Sequence, residues 1–176
     1  LPHAPAPAAE DAWQRQYELT RDVCLGAAEA AYLSTAFAET ERWAAEVLLH
    51  ASRLLEKVRV QEVRIQAYVA QGRLPEAIDL ALEVLKRLGI ECAEAADEAQ
   101  VLAALQQMHT ALAGKSLEEL LRLPAMTDPG KLAAARVIDH LLVPAFIVAP
   151  KLFVGVVLKM MHISLEWGHS PESAVV

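Results

Sequence analysis

The sequence predicts an all-α chain, and three observations carry that prediction. Apolar residues recur at steps of three and four, and no stretch between turn signals sustains the two-residue alternation of a strand. Hydrophobic residues make up 55% of the 176, yet aromatics only 5%, so the interior is built from Ala, Leu and Val, the mixture that suits helix on helix. Seven glycines and nine prolines gather at the breaks between the periodic stretches. The expected arrangement is antiparallel helix pairs, with about eight or nine helices in all. The length suffices for one compact domain or a short stack of repeats with a true core.

Residues 1–10 read as a flexible lead-in, rich in Pro and Ala, and residues 11–176 as a single helical-repeat domain. A first helix is expected from Asp11 to about Ser34, with Trp13, Tyr17, Leu25, Ala28 and Tyr32 inward, and a second from about Phe37 to Ala51. The third, about Arg53 to Gln71, carries Leu54, Val58, Ile65 and Tyr68 on one stripe and ends at Gly72. Pro75 opens the fourth at its tolerated first turn, and Ile78, Leu82, Leu85 and Leu88 lead to Gly89. After a connector over 89–96, Asp97 caps a helix whose stripe is Val101, Leu105, Met108 and Leu112, closed by Gly114. Ser116-Leu117-Glu118-Glu119 is a capping box, and Leu123 to Gly130 a turn. Helix resumes to about Val143, where Pro144 kinks or ends it. Pro150 begins another that stops at Gly168. Ser170-Pro171-Glu172 starts one more, with five residues after Pro171 to build it. With no initiating Met, the chain reads as trimmed on both sides.

Charge and composition remove several function classes. A net charge of −7 with no run of Lys or Arg argues against a nucleic-acid binder. Cys24 and Cys92 have neither metal-type nor disulfide spacing and read as buried thiols in a reducing, cytoplasmic setting. No secretory signal is present. The longest apolar run, Leu141–Pro150, is half a membrane span, and no membrane partner is expected. The nearly all-round apolar stretch Leu141–Leu165 reads as a central core helix. A mean hydropathy of +0.26 suggests that some apolar surface is covered by a partner.

Two helix–turn–helix units overlay at a spacing of 37 residues, Thr35 on Gly72, Phe37 on Leu74 and Val47-Leu48 on Val84-Leu85. The second unit, with Tyr68, Gly72, Leu74, Ala77 and Leu85, resembles the tetratricopeptide pattern: Gly for the tight turn, Tyr filling the space between helices, Ala for close approach. The first departs from it, with Thr35 for Gly and Thr40 for Ala. The wider chain, Trp13 to Ala174, resembles the helical region that follows the ATPase module in large bacterial multidomain signalling proteins. The residues carrying this are Ala27 to Leu33, Gln71 to Ile78, Val84 to Ile90, Leu112 to Ser116, Leu123 to Pro129, Leu158 to Met161 and Ser164 to Ala174. Such proteins join a serine/threonine kinase domain, a STAND-type ATPase, helical repeats, a GAF sensor and often a histidine kinase. The resemblance implies a tetratricopeptide-like right-handed superhelix that transmits or scaffolds. Its repeat-defining positions are Phe37, Tyr68, Gly72, Leu74, Ala77 and Leu85. Partners are then neighbouring domains of the parent chain, a protein or peptide, or a second copy.

Candidate chemistry is sparse. Gly114-Lys115-Ser116 ends like a P-loop, but position 109 is His rather than Gly and a helix precedes it. His50, His109 and His140 are candidate phosphotransfer residues. His162 and Glu166, four apart, with His169 nearby, lack a fourth metal ligand, and Asp139-His140 has no nucleophile beside it. No catalytic, cofactor or metal residue is expected. The groove of a repeat stack, near Trp43 or Arg64, is where a partner would sit. The expected function is therefore a non-enzymatic interaction or coupling segment; the alternatives are a histidine phosphotransfer module and a ligand-binding helical domain.

Overall fold

The computed structural model describes residues 10–92, 98–114, 118 and 124–170. Among these the chain is all-helical, with no strand and one isolated bridge between Ala125 and His169. In order come α1 (Glu10–Arg15), α2 (Tyr17–Leu33), α3 (Phe37–His50), α4 (Leu54–Ala70), α5 (Leu74–Arg87), α6 (Glu98–Leu112), α7 (Pro129–Val148) and α8 (Pro150–Trp167). The chain divides into two compact units, residues 1–72 and 73–176. Residues 1–9 of the lead-in expected over 1–10, the N-cap at Asp97, most of the capping box at 116–119 and the helix start at 171 lie outside the described residues, while Glu10 already belongs to α1.

The 37-residue spacing recurs in the backbone itself. Helices α2 and α4 are 17 residues each, α3 and α5 14 each, and every start and end in the first pair lies 37 before its counterpart in the second. The turns match as well. Ala36, before α3, has φ −83 and ψ 61, and Arg73, before α5, has φ −84 and ψ 59. Thr35 and Gly72, the aligned turn residues, both adopt positive φ, 59 and 72. Equivalent positions bury alike: Ala28 with Ile65, Thr40 with Ala77, Ala44 with Ala81 and Val47 with Val84.

The two departures from the glycine–alanine pattern are absorbed differently. Thr40 is fully buried, and its hydroxyl donates back to the Ala36 carbonyl at 3.4 Å. Thr35 is the only non-glycine with positive φ among the described residues, a conformation that costs an L-residue roughly 1–2 kcal/mol. Thr35→Gly should therefore stabilise the first unit by about 0.5–1 kcal/mol once the added freedom of the unfolded chain is subtracted. Urea unfolding measures this, and an unchanged or lower midpoint would contradict it.

In the first unit, α2 packs on α1, α3 and α4, and α3 on α4. Trp13, Cys24, Ala28, Trp43, Ala44, Val47, Val60 and Val63 form the core. The helix expected from Asp11 breaks at Gln16 (φ −138, ψ 51), separating α1 from α2. At the break the buried Thr20 hydroxyl donates to the Ala12 carbonyl at 3.0 Å, alongside the Gln16 N–H at 2.8 Å. The Trp13 ring is buried and stacks on His50, with centroids 4.4 Å apart, while its Nε1 donates to Glu46.

In the second unit, α5 and α8 pack on α7, and α6 on α8. Small buried residues on α5 (Ala77, Ala81) and α7 (Ala133, Ala134, Ala135) suit a close helix–helix approach. Pro144 neither ends nor divides α7. It is buried inside the helix, where it removes the N–H that would bond the His140 carbonyl. The α6 stripe differs from expectation, for Leu105 is exposed, as is Leu102 beside it.

Candidate interaction surface

The turn expected from Leu123 to Gly130 is more than a turn. Described from Pro124 on, it forms one half of a clasp. The Met126 N–H donates to the His169 carbonyl at 2.8 Å, and the His169 N–H to the Pro124 carbonyl at 3.0 Å. Asp128 caps α7, its side chain accepting from the Lys131 N–H at 2.8 Å, and Pro129 occupies the first turn. Lys131, on that turn, lies over the ring of Trp167 at the end of α8, 3.4 Å from its centroid. The start of α7 is thereby joined to the end of α8, and α7–α8 is an antiparallel hairpin closed at its base. Gly168, with φ +93 and ψ −177, makes the closure. A Cβ there would sit 2.0 Å from the Pro124 carbonyl oxygen.

The other end of the hairpin is different in kind. Only Ala149 separates α7 from α8. Around it Val143, Phe146, Ile147 and Val148 of α7 and Val154 of α8 are exposed, Phe146 to 66%. Phe146 meets Phe153 edge-on at 5.3 Å. The core reading of Leu141–Leu165 thus holds for Leu141, Ala145, Leu152, Val156 and Ile163, which are buried, and fails at the tip. Ala145 and Leu152, in the last turn of α7 and the first of α8, are buried on the inner side of the bend, while the apolar residues beside them face outward. Between Asp139 and Glu166 there is no acidic residue, and Lys151 stands exposed at the tip.

The first unit carries a second exposed apolar face. On α2, Thr20, Cys24, Ala28 and Ala31 are buried, while Leu19, Val23, Gly26, Ala30 and Leu33 are exposed on the opposite side at steps of four, three, four and three. Leu33 is 78% exposed. Nothing lies within 4 Å of the place a Gly26 Cβ would occupy, so the middle of the seam is open and carries no side chain. Glu18 and Asp22 border it; Asp22 pairs with Arg21 at 2.9 Å.

Polar ties hold the first unit's helices in place. Glu56 accepts from the Tyr17 hydroxyl and Arg21 at 2.7 Å each and from the Arg53 N–H at 3.1 Å. Burial opposes its ionisation, but these three donors outweigh that and hold its pKa down at about 2. Arg64 reaches Glu41, Gln61 and Tyr68. It is a tie between helices, as is Trp43, which is buried under Arg42. Neither residue singled out for a partner groove is free to serve one.

The sequence-predicted repeat positions fall at helix starts and in the interior. Phe37 and Leu74 begin α3 and α5, half-buried, and Ala77 and Leu85 are fully buried. Tyr68 is half-buried and accepts from Arg64 at 2.9 Å, and Gly72 takes the left-handed turn. The chemical candidates do not converge. His50 is taken up by Trp13 and Glu46, and His109 is exposed. His162 and Glu166 pair at 3.2 Å on an exposed face. Lys115 and Ser116 lie outside the described residues. No group of three His, Cys, Asp or Glu residues able to hold a metal occurs among the described residues. Cys24 is buried and Cys92 half-buried; burial pushes both thiols up, away from the reactive thiolate, even with Lys159 near Cys92 pulling the other way. A groove of about 780 Å³ in the second unit is lined by Asp79, Glu83, Glu91, Lys86 and Lys159, whose opposed charges favour no one ligand.

What the sequence missed was the clasp and the tip. The glycine stop at 168 and the Pro-rich segment at 124–129 are both visible, but nothing in either points to the other across the 43 residues between Pro124 and Gly168. No helix among the described residues is long and apolar enough to cross a membrane. No family model, curated protein or solved structure matches this chain.

Proposed function

We propose that this chain is a non-catalytic helical-repeat segment that couples neighbouring domains of a bacterial multidomain signalling protein. The observation that carries the reading is the recurrence at 37 residues of helix boundaries and turn dihedrals in α2–α3 and α4–α5. Helix pairs of equal length joined by matching turns are what a repeat array requires, since each repeat presents its neighbour with the same face. On this reading the pairs stack as a tetratricopeptide-like right-handed superhelix of about eight or nine helices. The period exceeds the roughly 34 residues of that family, so the likeness is to its architecture. The exposed tip and α2 seam supply the apolar surface that a coupling segment offers to its partners.

The experiment is light scattering on this chain alone and mixed with the STAND-type ATPase and GAF domains expected on the same polypeptide, with phosphate release from MgATP followed in parallel. A complex with either domain, or self-association, without turnover is the expected result. Nucleotide hydrolysis by this chain, or a monomer indifferent to both domains, would remove the reading.

A further inference from the structure

We infer that the α7–α8 tip of one copy docks on the α2 seam of a second copy, head to tail. The inference rests on the repeat reading above and names one partner for its surfaces. Three properties match the two patches. Both are apolar and exposed in the single chain: Phe146, Ile147 and Val143 on the tip, Leu19, Val23 and Leu33 on the seam.

Their charges are opposite. The tip presents Lys151 and has no acid from residue 140 to 165, while the seam is bordered by Glu18 and by Asp22, the latter paired with Arg21. Two tips meeting each other would bring lysine onto lysine, and two seams aligned in parallel would bring acid onto acid. The contact between unlike patches avoids both. The tip ends in the edge-on Phe146–Phe153 pair, and the middle of the seam is Gly26, which offers no side chain and has open space where its Cβ would stand.

Such an interface is heterologous: each copy offers a tip and a seam, and association continues until a ring closes or a filament grows.

The test uses two variants of the 176-residue chain, each spoiling one patch. Phe146→Glu places an acid on the exposed tip. Gly26→Glu places a charged side chain at the middle of the apolar seam, and because the site is an open helix interior it raises helix propensity and leaves folding intact, as circular dichroism would verify. The wild type should show a light-scattering mass that rises with concentration. Each variant alone should weaken that association at least about tenfold. Mixing the two should restore a single interface, between the intact tip of Gly26→Glu and the intact seam of Phe146→Glu, giving a 1:1 complex that grows no further. A wild type monomeric at every concentration overturns the inference, as does a mixture of variants that stays monomeric or a Gly26→Glu chain that associates like the wild type. Pelleting of a monomeric wild type with phosphatidylserine vesicles would overturn it in favour of a lipid surface. If self-association fails while a complex with the ATPase or GAF domain forms, the inference falls and the coupling reading stands.

Discussion

Gly168→Ala is expected to lower stability by about 3 kcal/mol, a fall of roughly 12–24 °C in the melting of the second unit. Two costs combine. The dihedrals, φ +93 and ψ −177, lie in a region open essentially to glycine alone. The new methyl would also stand 2.0 Å from the Pro124 carbonyl oxygen, so the clasp must open and release its two backbone hydrogen bonds, each worth about 1 kcal/mol. Gly72→Ala is the control. It has a similarly positive φ, +72, but nothing within 4 Å of the added methyl, and should cost only about 1–2 kcal/mol. Thermal unfolding of both variants, with amide exchange at Met126 and His169, makes the measurement. A Gly168→Ala chain as stable as the Gly72→Ala chain, with both amides still protected, would mean that the clasp contributes nothing.

The second large effect falls on Glu56. Glu56→Gln should destabilise the first unit by about 2 kcal/mol at neutral pH, because the Arg21 and Tyr17 donors then face a neutral amide. The pH dependence has a defined sign. The folded carboxyl titrates at about 2 and the unfolded one near ~4.3, so as pH falls the unfolded chain takes up the proton first. The contribution is complete above the unfolded value and is lost as pH falls from there toward 2. Urea midpoints measured from pH 6 to pH 2.5 should decline in the wild type and decline less in Glu56→Gln. Parallel curves for the two would show that the Tyr17–Glu56–Arg21 tie has no part in acid stability.

How far the sequence led can be judged at particular residues. Helix ends came out within a residue or two wherever a glycine or proline marks them: Gly72, Pro75, Gly89, Gly114, Pro150 and Gly168 are punctuation that local backbone geometry enforces. The paired turns at Thr35 and Gly72 were legible because a repeat compares the chain with itself. The break at Gln16 was not, since it depends on one threonine hydroxyl finding a carbonyl eight residues back. The sequence predicts a kink or an end at Pro144 because proline costs a helix one bond; α7 does not end there but continues through it to Val148, with Leu141, Pro144 and Ala145 buried on one side. Exposure at the tip was hidden for a related reason. A run of apolar residues states that surface must be covered, while the position of the hairpin bend decides which members the same unit can cover. The glutamate tie belongs to the same class, for Tyr17, Arg21 and Glu56 meet only once α2 and α4 are packed.

The continuity of the first unit in sequence has a bearing on how the chain is made. Residues 1–72 form one compact unit from consecutive sequence, and the joins between its helices are one to three residues long. Such local topology folds fast, and on the ribosome this unit can be finished while the rest is still being threaded through the exit tunnel. The second unit has no such head start. Pro124 to Met126 must wait until Gly168 and His169 have emerged before the base of the hairpin can close. During that interval α5 is already present to pack on one face of α7, but the face that α8 will cover stands open, so the stretch from Leu141 to Phe153 is where a chaperone would first find a foothold.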